Sequence, residues 1–470
     1  MQDFQTQIVN ALDKFNEPAG MLLVVVLAIC GIWFTIRTRG VQFRMIGEAF
    51  RLLFAPAAND KMTKGKRISS FEAFNVSLAS RIGTGNLAGV ATAIALGGPG
   101  AIFWMWVMAL IGGANAFIEC TLAQLFKSRG KDSFVGGPAY YIRKGLKSKW
   151  FGYVFAVTII IAFGFTNTMV QSNTISLAFG SAFSVDGFWM SVLLTVMTLA
   201  IVFGGVHRIA RFSSVVVPIM ALLYFGVTIV VFGLRYDRIP EVFMLIIENA
   251  FGFGPAVGGS VGMAIILGFK RGLFSNEAGE GSAPNVAATA DVSHPAKQGL
   301  IQALGVFTDT LLVCSCTAFI ILCSGLYDNG ANGVELTQLA LTDAIGNIGK
   351  IIIAVLIFFF AYSSIIGNYY YGETNLYFMT RNRRTMFCYR LLVGAVVFLG
   401  GMMTLDVAWA LVDVFMFIMT AINVVSILLL GKYALRCLED YRRQRKEGKN
   451  PVYHKSVNPE IASATECWPD

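Results

Sequence analysis

Apolar stretches of about 18–25 residues follow one another along nearly the whole chain, separated by short polar connections. As α-helices, such stretches cross a hydrocarbon core of about 30 Å. Eleven spans are predicted, with ends set to within about 2–4 residues: 20–36, 71–97, 101–126, 150–180, 188–204, 212–233, 255–289, 298–324, 348–371, 386–403 and 408–431. Period-two alternation in segments of about ten residues is missing, so a transmembrane β-barrel is excluded. The fold class expected is an all-α polytopic membrane protein, a single membrane domain over 1–470 without a soluble module. The first apolar run, "GMLLVVVLAICGIWFTI", leads into "RTRG" rather than a small-residue cleavage site, so it reads as a retained span.

Two spans break the apolar pattern at their centres. The second carries "GTGN" at 83–86, and the seventh carries "FSNEAGEGSAPN" at 274–285. Glycine costs a helix about 1 kcal/mol relative to alanine, and proline about 3. Paired glycines such as Gly85 and Gly89 also serve as packing notches between spans. That reading fails for 274–285, where Ser, Asn, two Glu and Pro284 come together. Irregular backbone at membrane depth is tolerated where it is buried in protein or lines a polar cavity.

The two breaks lie five spans apart, and an odd offset reverses direction. That is the arrangement of an inverted repeat: a first half over 71–233, a second over 255–431, and an extra N-terminal span at 20–36. Secondary transporters place substrate and coupling ion between such paired breaks. Free amides at a half-helix start suit an anion, and free carbonyls at a half-helix end suit a cation. An amino-acid carboxylate is therefore expected on the amides of Thr84 to Asn86, and its ammonium on carbonyls of an unwound stretch around Phe274, Ser275 and Asn276.

Charge sets the orientation. Of the 37 Lys and Arg, 29 fall in the loops after spans 1, 3, 5, 7 and 9 and in the tail from 432. Only Lys14, Arg235 and Arg238 fall in the N-terminus and the other loops. The positive-inside rule then puts the N-terminus outside and the tail of 432–470 in the cytoplasm. The same rule accounts for the net charge of +9 without nucleic acid. The basic segment 37–70 is either a strip along the inner membrane surface or a solvated loop. The tail, with "YRRQRKEGKN", reads as a short polar end. No cysteine falls in a loop assigned to the outside, so no structural disulfide is expected.

At these residues the chain resembles the alanine/glycine:sodium symporters of the amino acid–polyamine–cation superfamily. The resemblance rests on "GTGNLAGVATAIALGGPGAIFWMW" (83–106), "GLFSNEAGEGSAPNVAA" (272–288) and "HPAKQGLIQALGVFTDT" (294–310). It implies a leucine-transporter-like 5+5 inverted repeat, a bacterial cytoplasmic membrane, and sodium as the co-transported ion. Alanine or glycine would be the substrate, with serine or glutamine as further candidates. The partners expected are then a small neutral amino acid, sodium and the lipid bilayer, with the chain a monomer or weak homo-oligomer. In the wider fold a G-x-G-N stretch binds the substrate carboxylate, which carries over to Gly83, Thr84, Gly85 and Asn86. The sodium ligands carry over to the carbonyls of Ala79 and Ile82 and the hydroxyls of Ser363 and Ser364. Back-bonding of both serines to the preceding turn is the competing reading. Asn368 matches a substrate-contacting position where relatives often have tryptophan, which favours a larger, more polar substrate. Gln171, in "MVQSN", reads either as a pocket side chain or as an interhelical hydrogen bond.

The spans also hold Arg81, Glu119, Lys270, Arg271, Glu277, Glu280, Asp309 and Asp413, and ionisable groups at depth are functional hypotheses. Arg271 and Glu277 flank the second break and are candidates to pair. Glu280 or Asp309 would carry a proton if coupling were to H⁺. His207 and His294 fall in predicted cytoplasmic loops. H-E-x-x-H does not occur, and an intramembrane enzyme is not expected. A channel is the remaining alternative, but it has no need of two breaks in register.

Overall fold

The computed structural model of the chain describes residues 2–56, 67–252, 260–403 and 406–470. Apart from a short ribbon pairing Ser128–Arg129 with Phe134–Val135, its regular elements are helical. In chain order the principal helices are α1 (Gln2–Arg37), α2 (Ile46–Leu53), α3 (Ser70–Arg81), α4 (Gly85–Gly97), α5 (Ala101–Leu125) and α6 (Pro138–Gly145). Next come α7 (Lys149–Phe183), α8 (Gly187–Val202), α9 (Gly205–Leu234), α10 (Ile239–Phe251), α11 (Val261–Asn276) and α12 (Pro284–Ala287). The last are α13 (Pro295–Ser324), α14 (Gly333–Ile345), α15 (Ile348–Met379), α16 (Arg383–Met402) and α17 (Asp406–Lys446).

Among the described residues, eight helices are long and apolar enough to cross a membrane: α1, α5, α7, α9, α13, α15, α16 and α17. The other three predicted spans take different forms. The second divides into α3 and α4, the seventh into α11 and α12, and the fifth is α8, of 16 residues. Part of the seventh span, 255–259, lies outside the described residues. α10 and α14 have no counterpart among the predicted spans. Each is 13 residues long, too short to cross, and each sits between two spans.

Burial divides the helices into an inner and an outer set. α5, α13 and α15 are buried over most of their length, and α3 from Ala73 to Arg81. α9 and α16 present Leu222, Leu223, Ile229, Val230, Leu391 and Leu392 outward. An apolar side facing outward around a polar interior is the inverse of a soluble bundle and suits lipid. The extra helix α1 packs against α17, α5 and α11, so it leans on the second broken span.

The first break begins from a well-made helix. Ser69 caps α3: its hydroxyl accepts from the Glu72 amide at 3.1 Å, and Glu72 Oε2 accepts from the Ser69 amide at 2.8 Å. The second break ends in a single turn, α12. Its residues are held from outside: Asn375 Nδ2 donates to Asn285 Oδ1 at 2.9 Å, and Gln124 Nε2 donates to the carbonyls of Ala287 (2.5 Å) and Ala290 (2.9 Å).

The tail corrects the sequence reading. It is not simply a polar end, because α17 runs to Lys446 and the following residues fold back onto the bundle. Tyr453, Asn458, Thr465 and Trp468 are buried. The Trp468 indole donates to the carbonyls of Gln124 (3.1 Å) and Leu125 (3.2 Å) at the end of α5. The Tyr453 amide donates to the Ser293 carbonyl at 2.9 Å, and Lys297 Nζ to Asn450 Oδ1 at 2.7 Å. His294, expected in an open loop, is buried and caps α13 through the Ala296 amide, with Nε2 3.3 Å from Asp440 Oδ2. The basic segment also turns helical. α2 buries Ala49, Leu52 and Leu53 and packs against α13.

Candidate transport site

The first break is short. α3 ends at Arg81, Ile82 leaves helical geometry (φ −80°, ψ 89°), and α4 opens with a π-helical turn over Gly85–Gly89. Gly83 has to be glycine: a Cβ there would overlap Ser364 Oγ and stand 3.0 Å from Gln171 Oε1. Gly85 packs less tightly against Phe274, whose ring would lie 3.1 Å from an added Cβ. The amides expected to meet a carboxylate already have partners. Gly83 N donates to Asn86 Oδ1 at 2.9 Å, Thr84 N to Gln171 Oε1 at 3.1 Å, and Asn86 N to the Gly83 carbonyl at 3.3 Å. Gln171 thus stands at the break with its amide oxygen on the Thr84 amide. Two buried polar atoms nearby, Thr84 Oγ1 and Asn368 Nδ2, have no partner, as sites for a polar ligand often do.

The carbonyls before this break converge on α15. Ser364 Oγ lies 3.0 Å from Ala79 O, 3.1 Å from Ser80 O and 3.3 Å from Ile82 O, and Ser363 Oγ lies 3.3 Å from Ala79 O. Both hydroxyls also reach the Phe360 carbonyl within their own helix, at 2.9 and 3.0 Å. The back-bonding and the cross-helix contacts therefore coexist. Asn368, one turn further on, accepts from Ser80 Oγ at 2.7 Å and is fully buried. Its oxygen is turned to α3.

The second break starts later than the sequence suggested. Phe274, Ser275 and Asn276 are not unwound; they form the last turn of α11, so their carbonyls are those a helix end leaves free. Unwinding begins at Glu277, which takes a left-handed conformation (φ 54°), followed by Gly279 and Gly281 at φ 88° and 89°. Long-range contacts decide this. Glu277 is reached by Ser80 Oγ (3.0 Å), Ser282 Oγ (2.5 Å) and Tyr371 OH (3.1 Å). Glu119, in the C-terminal part of α5, accepts from the Gly279 and Gly281 amides at 3.0 and 3.1 Å and from Asn423 Nδ2 at 2.9 Å. Tyr141 in turn donates to Asn423 Oδ1.

The expected Arg271–Glu277 pair does not form, because Glu277 is turned to α3 and α15 while Arg271 lines two cavities elsewhere. Arg81 is buried, donates to the Gln302 carbonyl at 3.2 Å and packs against Gly305. Buried in the core and bonded there, it does not snorkel. Lys270 pairs instead with Asp413 at 2.9 Å.

A cavity of about 720 Å³ lies beside α4, lined by Thr92, Asn173, Leu177, Arg271, Glu335 and Trp409 among others. The Trp409 ring is 5.9 Å from Phe274, which covers Gly85. One layer of aromatic rings therefore links this cavity to the first break. Sequence reasoning named Glu119 only as a charge at depth and did not single out Asn423, Ser80 or Tyr371. The signal for Glu119 was its charge inside an apolar run, and the others carried none.

A bundle of apolar helices, two of them broken and facing each other across buried polar groups, defines a multi-pass membrane transporter and not an enzyme. The chain belongs to the sodium:alanine symporter family, whose model matches residues 2–455. It is 47% identical over 449 residues to the probable sodium/glutamine symporter GlnT of Bacillus subtilis, covering 95% of this chain and 93% of the relative. It is 46% identical to the amino-acid carrier protein AlsT of the same organism, covering 100% and 99%. The fold resembles a mutant manganese transporter of Eremococcus coleocola with a TM-score of 0.52 at 13% identity, over 87% of this chain and 88% of that one.

Proposed function

We propose that the protein imports a small neutral amino acid together with Na⁺ by alternating access, through a 5+5 inverted repeat of eleven spans with the N-terminus outside. Alanine, glycine, serine and glutamine are the candidate substrates. The names of the family and of the GlnT relative support sodium, and alanine and glutamine among these substrates. The repeat is supported by its second elements. In each half a short helix, α6 or α14, joins the second long helix to the third and packs against the third.

One observation carries the reading: Ser363 and Ser364 of α15 meet the carbonyls of Ala79 and Ile82 at the first break. Four or five hard oxygens at one point suit a small cation. Na⁺ there would tie α15 to α3 and fix the break. The substrate carboxylate would then displace Gln171 from the Thr84 amide and meet the unpartnered Thr84 hydroxyl beside it. Its ammonium would meet the free carbonyls of Phe274 to Asn276. Filling both breaks removes the unsatisfied polar groups that oppose closure, and the two halves can rock.

Uptake of labelled alanine, glycine, serine and glutamine into proteoliposomes, driven by Na⁺, Li⁺ or H⁺ gradients, tests this. Na⁺-driven uptake of at least one of them is expected. Uptake indifferent to Na⁺ would overturn the coupling.

A further inference from the structure

The stretch "PAYYIRKG" forms α6, with Pro138 in its first turn. Tyr140, Arg143 and Lys144 are three and four residues apart and so share one face. That face lines a cavity of about 510 Å³, closed on its other sides by Tyr153 of α7, Phe378 of α15 and Arg381. Its basic residues belong to the connections after the third and ninth predicted spans, on the side that the positive-inside rule makes cytoplasmic.

The cations here are only partly matched. Arg143 lies over the Phe378 ring at 5.7 Å, and Arg381 over the Tyr377 ring at 5.4 Å. Among the described residues neither guanidinium has a hydrogen bond or a carboxylate partner, so their N–H edges are free. Lys144 Nζ holds Glu466 of the docked tail at 2.9 Å, the one carboxylate in the lining. Three cations facing one carboxylate leave a positive surplus. Tyr140 gives an independent sign of a ligand. It is buried, its ring packs on Phe378 at 5.1 Å, and its hydroxyl has no partner. A buried hydroxyl left unpaired is costly unless a bound group satisfies it.

The cavity adjoins an apolar face. Trp150, Tyr153 and Val157 are exposed and lie three and four residues apart along α7. Tyr153 belongs to both, and its ring is 5.5 Å from Phe378. Aromatic rings at the end of a span sit at headgroup level, with hydrocarbon beyond them.

We infer that this cavity takes the phosphate group of an anionic phospholipid, with an acyl chain along Trp150, Tyr153 and Val157. Arg143 and Arg381 would donate to the phosphate oxygens in the planar geometry that suits guanidinium, and the Tyr140 hydroxyl would donate beside them. Basic pockets between spans at the cytoplasmic surface suit such headgroups. Glu466 would oppose the ligand, so tail docking and lipid binding would compete for Lys144. Free phosphate shares the headgroup chemistry but gains nothing from the face of α7.

The test titrates the purified, delipidated full-length chain in detergent with fluorescent phosphatidylglycerol. Phosphatidylcholine and inorganic phosphate serve as competitors, and the double variant Arg143→Gln/Arg381→Gln sets the non-specific background. Each single Arg→Gln variant should raise Kd about tenfold, Tyr140→Phe about threefold, and Glu466→Gln should lower it about threefold. Tyr140→Phe deletes a hydroxyl without a partner, so its thermal midpoint should hold or rise while binding weakens. A merely structural residue would not separate the two readouts. Wild-type binding no stronger than in the double variant overturns the site. Phosphatidylcholine competing as well as phosphatidylglycerol overturns the role of the cations. Displacement by inorganic phosphate at the same concentration as by lipid overturns the phospholipid and makes a soluble anion the occupant.

Discussion

The Ser364 hydroxyl stands 3.0 Å from the Ala79 carbonyl oxygen, 285 positions away along the chain. It occupies the space that Gly83 leaves by having no side chain. Two substitutions follow from this contact. Ser364→Ala removes one oxygen and should raise half-saturating Na⁺ about tenfold, about 1.4 kcal/mol. Gly83→Ala drives a methyl group into Ser364 Oγ and toward Gln171, and should abolish uptake while the protein still inserts. A Na⁺ titration of amino-acid uptake checks both, and unchanged sodium dependence in Ser364→Ala would remove Ser364 from the ion site.

Gln171 holds the Thr84 amide with a neutral oxygen. Gln171→Glu keeps the shape and adds a negative charge where the substrate carboxylate is proposed to bind. KM for the amino acid should rise at least about tenfold, with kcat less affected. Equal KM values for wild type and variant would place the carboxylate elsewhere.

Glu119 holds two backbone amides of the second break with one carboxylate. Glu119→Gln leaves an NH₂ group facing an N–H donor. A loss of about 3 kcal/mol is expected, read as a lower thermal midpoint in detergent. Asn423→Ala should act on the same network, and the double variant should lose less than the sum. Additive losses would mean that the two residues brace different things.

His294 makes tail docking sensitive to pH. Burial pushes its imidazole below the ordinary value of 6.5, more than the bond to Asp440 raises it; Lys297 also lowers it. The rings of Tyr441 and Tyr453 pack on it. In the undocked state His294 regains its ordinary value and binds more protons below about pH 6.5. Docking is therefore strongest above that pH and weakens as pH falls below it. Limited proteolysis of 447–470 should accelerate from about pH 7.5 to about pH 5.5, and His294→Asn should flatten the profile. Trp468→Ala should loosen the tail at every pH, by about 3 kcal/mol.

The two breaks were legible because glycine, proline and charge stand out in an apolar run. "GTGN" opens where expected, since Gly83 and Ile82 lack alternatives at that point. The start of the second break was not legible. It depends on Glu277 meeting Ser80 and Tyr371, which are distant in the chain. The tail misled for a different reason. Its buried residues, Tyr453, Ile461, Cys467 and Trp468, are sparse and follow no helical or strand period, so nothing in their spacing distinguishes them from a solvated segment. Trp468 was the one available hint.

The halves are unequal at their inner ends. α3 is a capped helix of 12 residues, whereas α12 has four. A single turn has almost no hydrogen-bond ladder of its own, and nucleating it alone is unfavourable. α12 takes its shape from Asn375 and Gln124. If those partners move, it has no independent conformation to keep. At this end of the second half, losing those contacts and melting the helix are then the same event, and the order regained comes from the neighbours.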